Sequence, residues 1–281
     1  MRWMKRTVMA VAVALCGCGG DDAPAMGADA ATDARAQTDG TLAIDAPPAA
    51  SCEGSTALFC EDFDELPLGA AASTHWTTET AMGTLAIDAT RVRAGHSLHV
   101  STMANGRARM IVPIAPPGNS MFGRMYAYVE AFPTAPAYAH YTLVEARGPD
   151  NAPGAAVRPI GGQYATNPNP PANLFGPGSD GGASGDWCDW NEAAPAVAGR
   201  WVCYEWQLDA SANQIAVWID GVAKPELTTG PARHPSFVFP DFTQIWFGWW
   251  LYQASPTPDA YNVWIDDVVV DTQRVGCLPP P

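Results

Sequence analysis

Four residues in the middle and late parts of the chain carry side chains suited to proton transfer beside a carboxylate: His140, Arg158, Gln163 and Tyr252. Arginine and glutamine hold and neutralise a carboxylate, which makes the adjoining carbon acidic, and a histidine is a base that takes the proton. A tyrosine hydroxyl returns a proton to a departing oxygen. Arg107 and Arg109 alternate, so they share one face of a strand and extend the basic set. Tyr164, Trp187 and Trp250 add rings on which a sugar stacks, and Trp190 and Trp246 belong with them. Each residue also has a plain structural reading: a lone histidine in a core, two arginines on a solvated face, a tyrosine among the tryptophans at 246, 249 and 250.

Extended chain must position these groups. Leu85 and Ile87 alternate, as do Leu98 and Val100; Met121, Met125 and Val129 oppose Phe122, Tyr126, Tyr128 and Phe132. Tyr204, Trp206 and Leu208 oppose Trp201, Cys203 and Glu205, and Ile215, Val217 and Ile219 end in Asp220-Gly221, the dipeptide of a type I′ hairpin turn. Two more strands are expected from Thr243 to Gln253 and from Tyr261 to Asp271. A period of two with turn residues every ten or so positions is the pattern of an all-β sandwich. Because neighbours on a strand face opposite ways, His140 and Tyr141 cannot both enter one cleft, and His140 is assigned to it. Between Gly148 and Asn191 the alternation fails, which reads as a long loop and a candidate ligand wall.

The ends bound the rest. Arg2, Lys5 and Arg6 precede an apolar run from Val8 to Leu15, the form of a secretory signal too short to span a bilayer. It closes on Cys18, which resembles the lipidated cysteine of a bacterial lipobox, so residues 1–18 are expected to be a lipoprotein signal, anchored in the envelope with the outer membrane favoured. Residues 19–50, rich in Ala, Asp and Pro, form an expected disordered tether, and residues 51–281 the folded domain. The net charge is -14; the first fifty residues hold four Lys/Arg and six Asp/Glu, leaving 11 basic and 23 acidic side chains, or -12, for the domain. So acidic a surface argues against nucleic acid. A monomer and no organic cofactor are expected. Of the five cysteines beyond residue 50, Cys188 and Cys203 are close in sequence and expected to pair, and Cys277 is expected to pair with Cys60 or Cys52.

Several segments together resemble concanavalin A-like jelly rolls of the polysaccharide-lyase type, the alginate and glucuronan lyases and the fungal cellulose-induced proteins that share their shape. The segments are Leu58 to Asp64, Arg93 to Val100, His140 to Ala146, Arg158 to Gln163, Trp201 to Asp209, Val217 to Gly221, Ile245 to Gly248 and Trp264 to Val270. The resemblance implies two antiparallel sheets with a cleft lined from His140 through Gln163. It also implies β-elimination on a uronic-acid glycan, with Arg158 and Gln163 on the carboxylate, His140 as base or charge neutraliser and Tyr252 as proton donor. Related sandwiches tie first and last strands with one structural calcium ion, for which Glu61 and Asp266 stand at the matching positions, with Asp62 and Asp267 beside them. The arginine-rich, Gln-x-His and Tyr-Phe-Lys signatures of alginate lyases are absent. Glycoside hydrolysis finds no Glu-x-Asp-x-Glu alternation. The alternative to an enzyme is a lectin-like surface module, for which eleven tryptophans are ample.

Overall fold

The computed structural model describes residues 52–134, 139–149, 156–180, 187–252 and 257–279. The expected signal, the lipidation at Cys18 and the tether lie outside them. Fifteen strands run in chain order: β1 Phe59–Glu61, β2 Gly69–Ala70, β3 Thr77–Asp88, β4 Ser97–Pro113, β5 Met121–Val129, β6 Ala139–Arg147, β7 Ala156–Ala165 and β8 Ala172–Phe175. Then come β9 Gly178–Asp180, β10 Trp187–Cys188, β11 Trp201–Asp209, β12 Gln214–Ile219, β13 Val222–Ala223, β14 Gln244–Leu251 and β15 Ala260–Asp271. All pairings are antiparallel.

The fold is a β-jelly-roll sandwich whose layers are joined through β4. The first half of β4 pairs with β15 through Met103, and Arg107 to Pro113 pair with β14. Between the halves Ala104 takes φ 50°, and a Cβ on Gly106 would stand 2.6 Å from the Met82 carbonyl, so the strand turns there at a glycine. One layer then runs β15-β5-β11-β12-β13, and the other β14-β6-β7-β9-β10. Between them the alternating apolar residues meet: Trp206 of β11 lies 6.0 Å from Phe247 of β14, Tyr204 of β11 5.0 Å from Phe175 of β8, and Tyr261 of β15 5.4 Å from Trp249 of β14. Tyr204, Trp206, Leu208, Met121, Met125 and Val129 all sit in this core, each large apolar side chain contributing about 1.5–3 kcal/mol on burial. Trp206 has room because Gly123 faces it; a Cβ there would lie 2.1 Å from the indole.

Several expectations need correction. The stretch from Gly148 to Asn191 is not one loop: it holds β7 to β10. Its glycines hide the alternation because they mark close backbone approaches, a Cβ on Gly162 meeting the Leu174 carbonyl at 2.2 Å. The disulfides join Cys52 to Cys60 and Cys203 to Cys277. Cys188 and Cys203 do not pair, because Cys188 lies on β10 at the far edge of the other layer. First and last strands are neighbours as expected, Cys60 standing opposite Val269. Cys277, however, lies beyond the strand, in a tail that crosses to β11. There Glu205, 1% exposed, receives Arg274 at 3.0 and 2.9 Å and the Gly276 amide at 3.0 Å. Arg124 and Tyr126 of β5 donate to the Gly276 and Leu278 carbonyls. Two disulfides fit an exported protein in an oxidising compartment, and no helix among the described residues is long and apolar enough to cross a membrane.

Candidate functional site

The face of the β14-β6-β7 layer turned away from the core collects most of the residues singled out by type. Along β6, Ala139 and Tyr141 point inward and His140 and Thr142 outward; Leu143 and Val144 then both lie in the core. This irregularity puts Glu145 and Arg147 on the outer face. On β14, Trp246 and Trp250 face outward, opposite Glu145 and Thr142, while Phe247 and Trp249 fill the core. A Cβ on Gly248, between them, would stand 2.2 Å from the Ala108 carbonyl. The neighbouring strand supplies Arg107 and Arg109, and β3 supplies Glu79 opposite Arg109.

His140 stands directly opposite Gln163 on β7. Its ring stacks on Tyr252 at 5.7 Å and 9°. The Tyr252 hydroxyl accepts a hydrogen bond of 2.6 Å from Arg158, whose other amino group donates to the Ser179 carbonyl. The four residues assigned to elimination chemistry therefore form one cluster. His140, Arg158 and Gln163 are each only 7% exposed, so a polymer reaches them only if the face opens. Burial pushes the Tyr252 hydroxyl well above its usual range, with Arg158 pulling against it. At neutral pH it is a phenol, a proton donor rather than a base.

The other end of the face is an ion-pair network. Arg109 donates to Glu79 at 3.0 and 2.6 Å, and Arg107 donates to it at 2.6 Å. Burial alone would raise the Glu79 carboxyl; Arg109 and then Arg107 outweigh it and hold the group below its ordinary value. Glu145, completely buried, accepts from Trp246 Nε1 at 2.8 Å and from Arg147. The Arg109 guanidinium lies 4.9 Å over Trp246 and 5.8 Å over Trp250, within cation–π range. A cavity of about 390 Å³ opens on the same face, lined by Thr77, Ile111, Pro113, Pro149, Thr243 and Gln244.

Two expected ligand rings are elsewhere. Tyr164 follows Gln163 and so turns to the opposite side of β7, where it packs against the core. Trp187 is opposite Ser179, itself opposite Val157, and joins the core side; it stacks on His234 at 4.1 Å. Trp250 is on the candidate face. Sequence reasoning missed Glu145 and Glu79: strict alternation from His140 sends residue 145 inward, and Glu79 sits on a polar edge strand without distinguishing pattern.

The acidic pair at the other layer is divided in its contacts. Glu61, opposite Val268, accepts from Trp76 Nε1 at 2.8 Å and from the Phe63 amide at 3.1 Å. Asp266 accepts from the amides of Arg93 and Asp267 and is 2% exposed. Among the described residues one group of three metal-type donors comes together, Cys203, Glu205 and Cys277, and its two sulfurs already form a disulfide.

No family model matches the chain, and no curated protein matches it. Among solved structures it is similar to the binding domain of botulinum neurotoxin serotype C1, with 11% identity, a TM-score of 0.50, and coverage of 78% of this chain and 48% of that one. A second structure, of botulinum neurotoxin type C and its dependence on two ganglioside molecules, gives the same values. A sialidase aligns with 12% identity and a TM-score of 0.48 over 77% of this chain and 18% of its own. The chain spans about half the length of the neurotoxin structures it matches and a smaller part of the sialidase. At such identities the likeness is one of fold.

Proposed function

We propose that this protein is an exported carbohydrate-binding module whose ligand lies on the outer face of the β14-β6-β7 layer. The observation that carries the reading is the gathering of Trp250, Trp246, Arg107, Arg109 and Glu145 on one side of one sheet, ordered before any ligand arrives by hydrogen bonds from Arg107 and Arg109 to Glu79 and from Trp246 to Glu145, and by the Arg109 guanidinium over both indoles. Aromatic rings take the C–H face of a sugar while fixed charged groups orient its hydroxyls, and prior ordering lowers the cost of binding. The type C neurotoxin, which shares the fold, interacts with gangliosides, which is in keeping with a glycan partner. Attachment through a lipid on Cys18, with residues 19–50 as tether, would hold the module at the outer membrane or cell surface. Affinity electrophoresis of the full chain through gels cast with neutral and uronic-acid polysaccharides tests the reading. Retardation that is lost in Trp250→Ala supports it, and free migration in every gel overturns it.

A second reading, a lyase cleaving a uronic-acid glycan by β-elimination, is favoured by the clustering of His140, Gln163, Arg158 and Tyr252. Incubation with glucuronan, alginate and pectate, followed by absorbance of the unsaturated product, tests it. A rise that vanishes in His140→Ala and Gln163→Ala supports it; no rise on any of the three overturns it.

One calcium ion remains part of the proposal as a structural element. Asp266 fits as a hard oxygen donor withdrawn from water with Asp64 and Asp267 nearby. Glu61 fits less well, because both its oxygens already accept N–H bonds.

A further inference from the structure

We propose that Arg109 and Glu145 form a subsite that reads a sugar hydroxyl, so that the ligand presents a neutral pyranose unit at this end of the face; the inference rests on the carbohydrate-binding reading. Glu145 is completely buried, and its Oε2 has no hydrogen-bond partner among the described residues. Arg109 is 8% exposed; its Nε and Nη2 are bound to Glu79, but its Nη1 has no hydrogen-bond partner among the described residues. A buried acceptor and a buried donor left unmatched are costly, and each such group calls for a partner. They belong to one locality, with Arg109 Nη1 standing 4.0 Å from Glu145 Oε1. That separation is too long for a direct hydrogen bond, and Oε1 is already taken by Trp246 and Arg147, so Nη1 and the neighbouring Oε2 are both left for a ligand oxygen to match.

The charges decide what that oxygen belongs to. A carboxylate would be repelled by Glu145 and an ammonium by Arg109. A hydroxyl donates one hydrogen bond and accepts another, so a single sugar hydroxyl satisfies both, in the place that a water molecule would fill without ligand. The surrounding groups agree. Arg107 and Arg109 are both paired with Glu79, and Arg147 with Glu145, three guanidinium groups against two carboxylates; the one excess positive charge is shared among ion pairs, and Glu145 stands against an incoming uronate. Trp250 is part-exposed beside the subsite and supplies a ring for stacking. Thr77 and Ile111, which line the cavity, stand in the same cross-strand row as Trp246 and Glu145, so the cavity borders the subsite, and a ligand coming from it reaches the buried pair only when the covering side chains shift.

The test titrates the full chain with neutral gluco-, manno- and galacto-configured oligosaccharides and with oligouronates, following tryptophan fluorescence. Glu145→Gln is the direct variant. Thr77→Trp, on the exposed edge, fills the approach without touching the buried pair, and melting curves check that both fold. Binding of at least one neutral oligosaccharide, weakened at least about tenfold in both variants, is the expected result. Neutral binding that neither variant weakens overturns the subsite and leaves the carbohydrate-binding reading standing. Binding of oligouronates alone overturns the hydroxyl-reading subsite as well. No binding of any glycan by the wild type overturns both.

Discussion

Asp266 ties the pH dependence of stability to one buried group. Burial, with the charges of Asp267 and Asp64 adding to it, raises its carboxyl from 3.8 to about 8, despite hydrogen bonds from the Arg93 and Asp267 amides. An unfolded aspartate gives up its proton near pH ~4. Between about pH 4 and about pH 8 the folded chain thus holds one proton that the unfolded chain has released, and stability falls as pH rises until the loss is complete above the folded value. Each pH unit corresponds to about 1.4 kcal/mol, so the rise from about pH 5 to about pH 8 costs at most about 4 kcal/mol. For a domain of this size that is on the order of 10 °C in melting temperature. Circular-dichroism melts across this range in excess chelator measure it. Asp266→Asn abolishes the titration and is expected to flatten the profile, overtaking the wild type at the alkaline end. Calcium reverses the sign, because a bound dication favours the carboxylate: the wild type then gains most at high pH and the asparagine variant gains nothing. Parallel wild-type and variant profiles in chelator would refute the reasoning, and an equal calcium shift in both would remove the ion from Asp266.

Three further outcomes follow from the packing. Glu205→Gln breaks the pairing with Arg274 that pins the tail, and is expected to lower the unfolding free energy by about 2–3 kcal/mol, read from urea titration. Gly123→Ala drives a methyl into the Trp206 indole and should cost about 3 kcal/mol or more, with a blue- or red-shifted tryptophan emission marking the displaced ring; wild-type stability would show that the strands part easily. Replacing Cys203 and Cys277 together by serine opens a connection of 74 residues and should cost about 2–5 kcal/mol, whereas the same change at Cys188 leaves both bridges intact.

The elements most visible in the sequence were those whose alternation runs unbroken. Tyr204, Trp206 and Leu208 announced an inward face, and they form it; Asp220-Gly221 announced a two-residue turn, and its φ angles of 51° and 76° make one. The same rule put His140 and Tyr141 on opposite faces, as they stand, but did not say which of the two leaves the core. What escaped reading is where the rule breaks. The paired inward residues Leu143 and Val144 reverse the phase of β6 and bring out Glu145. Glycines at 161, 162, 176 and 178 erase the pattern of strands that pass too close for a side chain. Disulfide partners escaped for another reason: Cys277 reaches Cys203 by a tail whose path is set by Glu205 and Arg124, groups with no sequence signal for a meeting so distant.

That tail bears on how the sandwich is closed. Residues 274–278 are fastened by a sulfur bridge, a salt bridge and carbonyls taken up by Arg124 and Tyr126, so the layer beneath stays unsealed until this segment has docked and the thiols have been oxidised. A copy kept under reducing conditions would lack this latch, and proteases would meet a seam that the oxidised molecule closes.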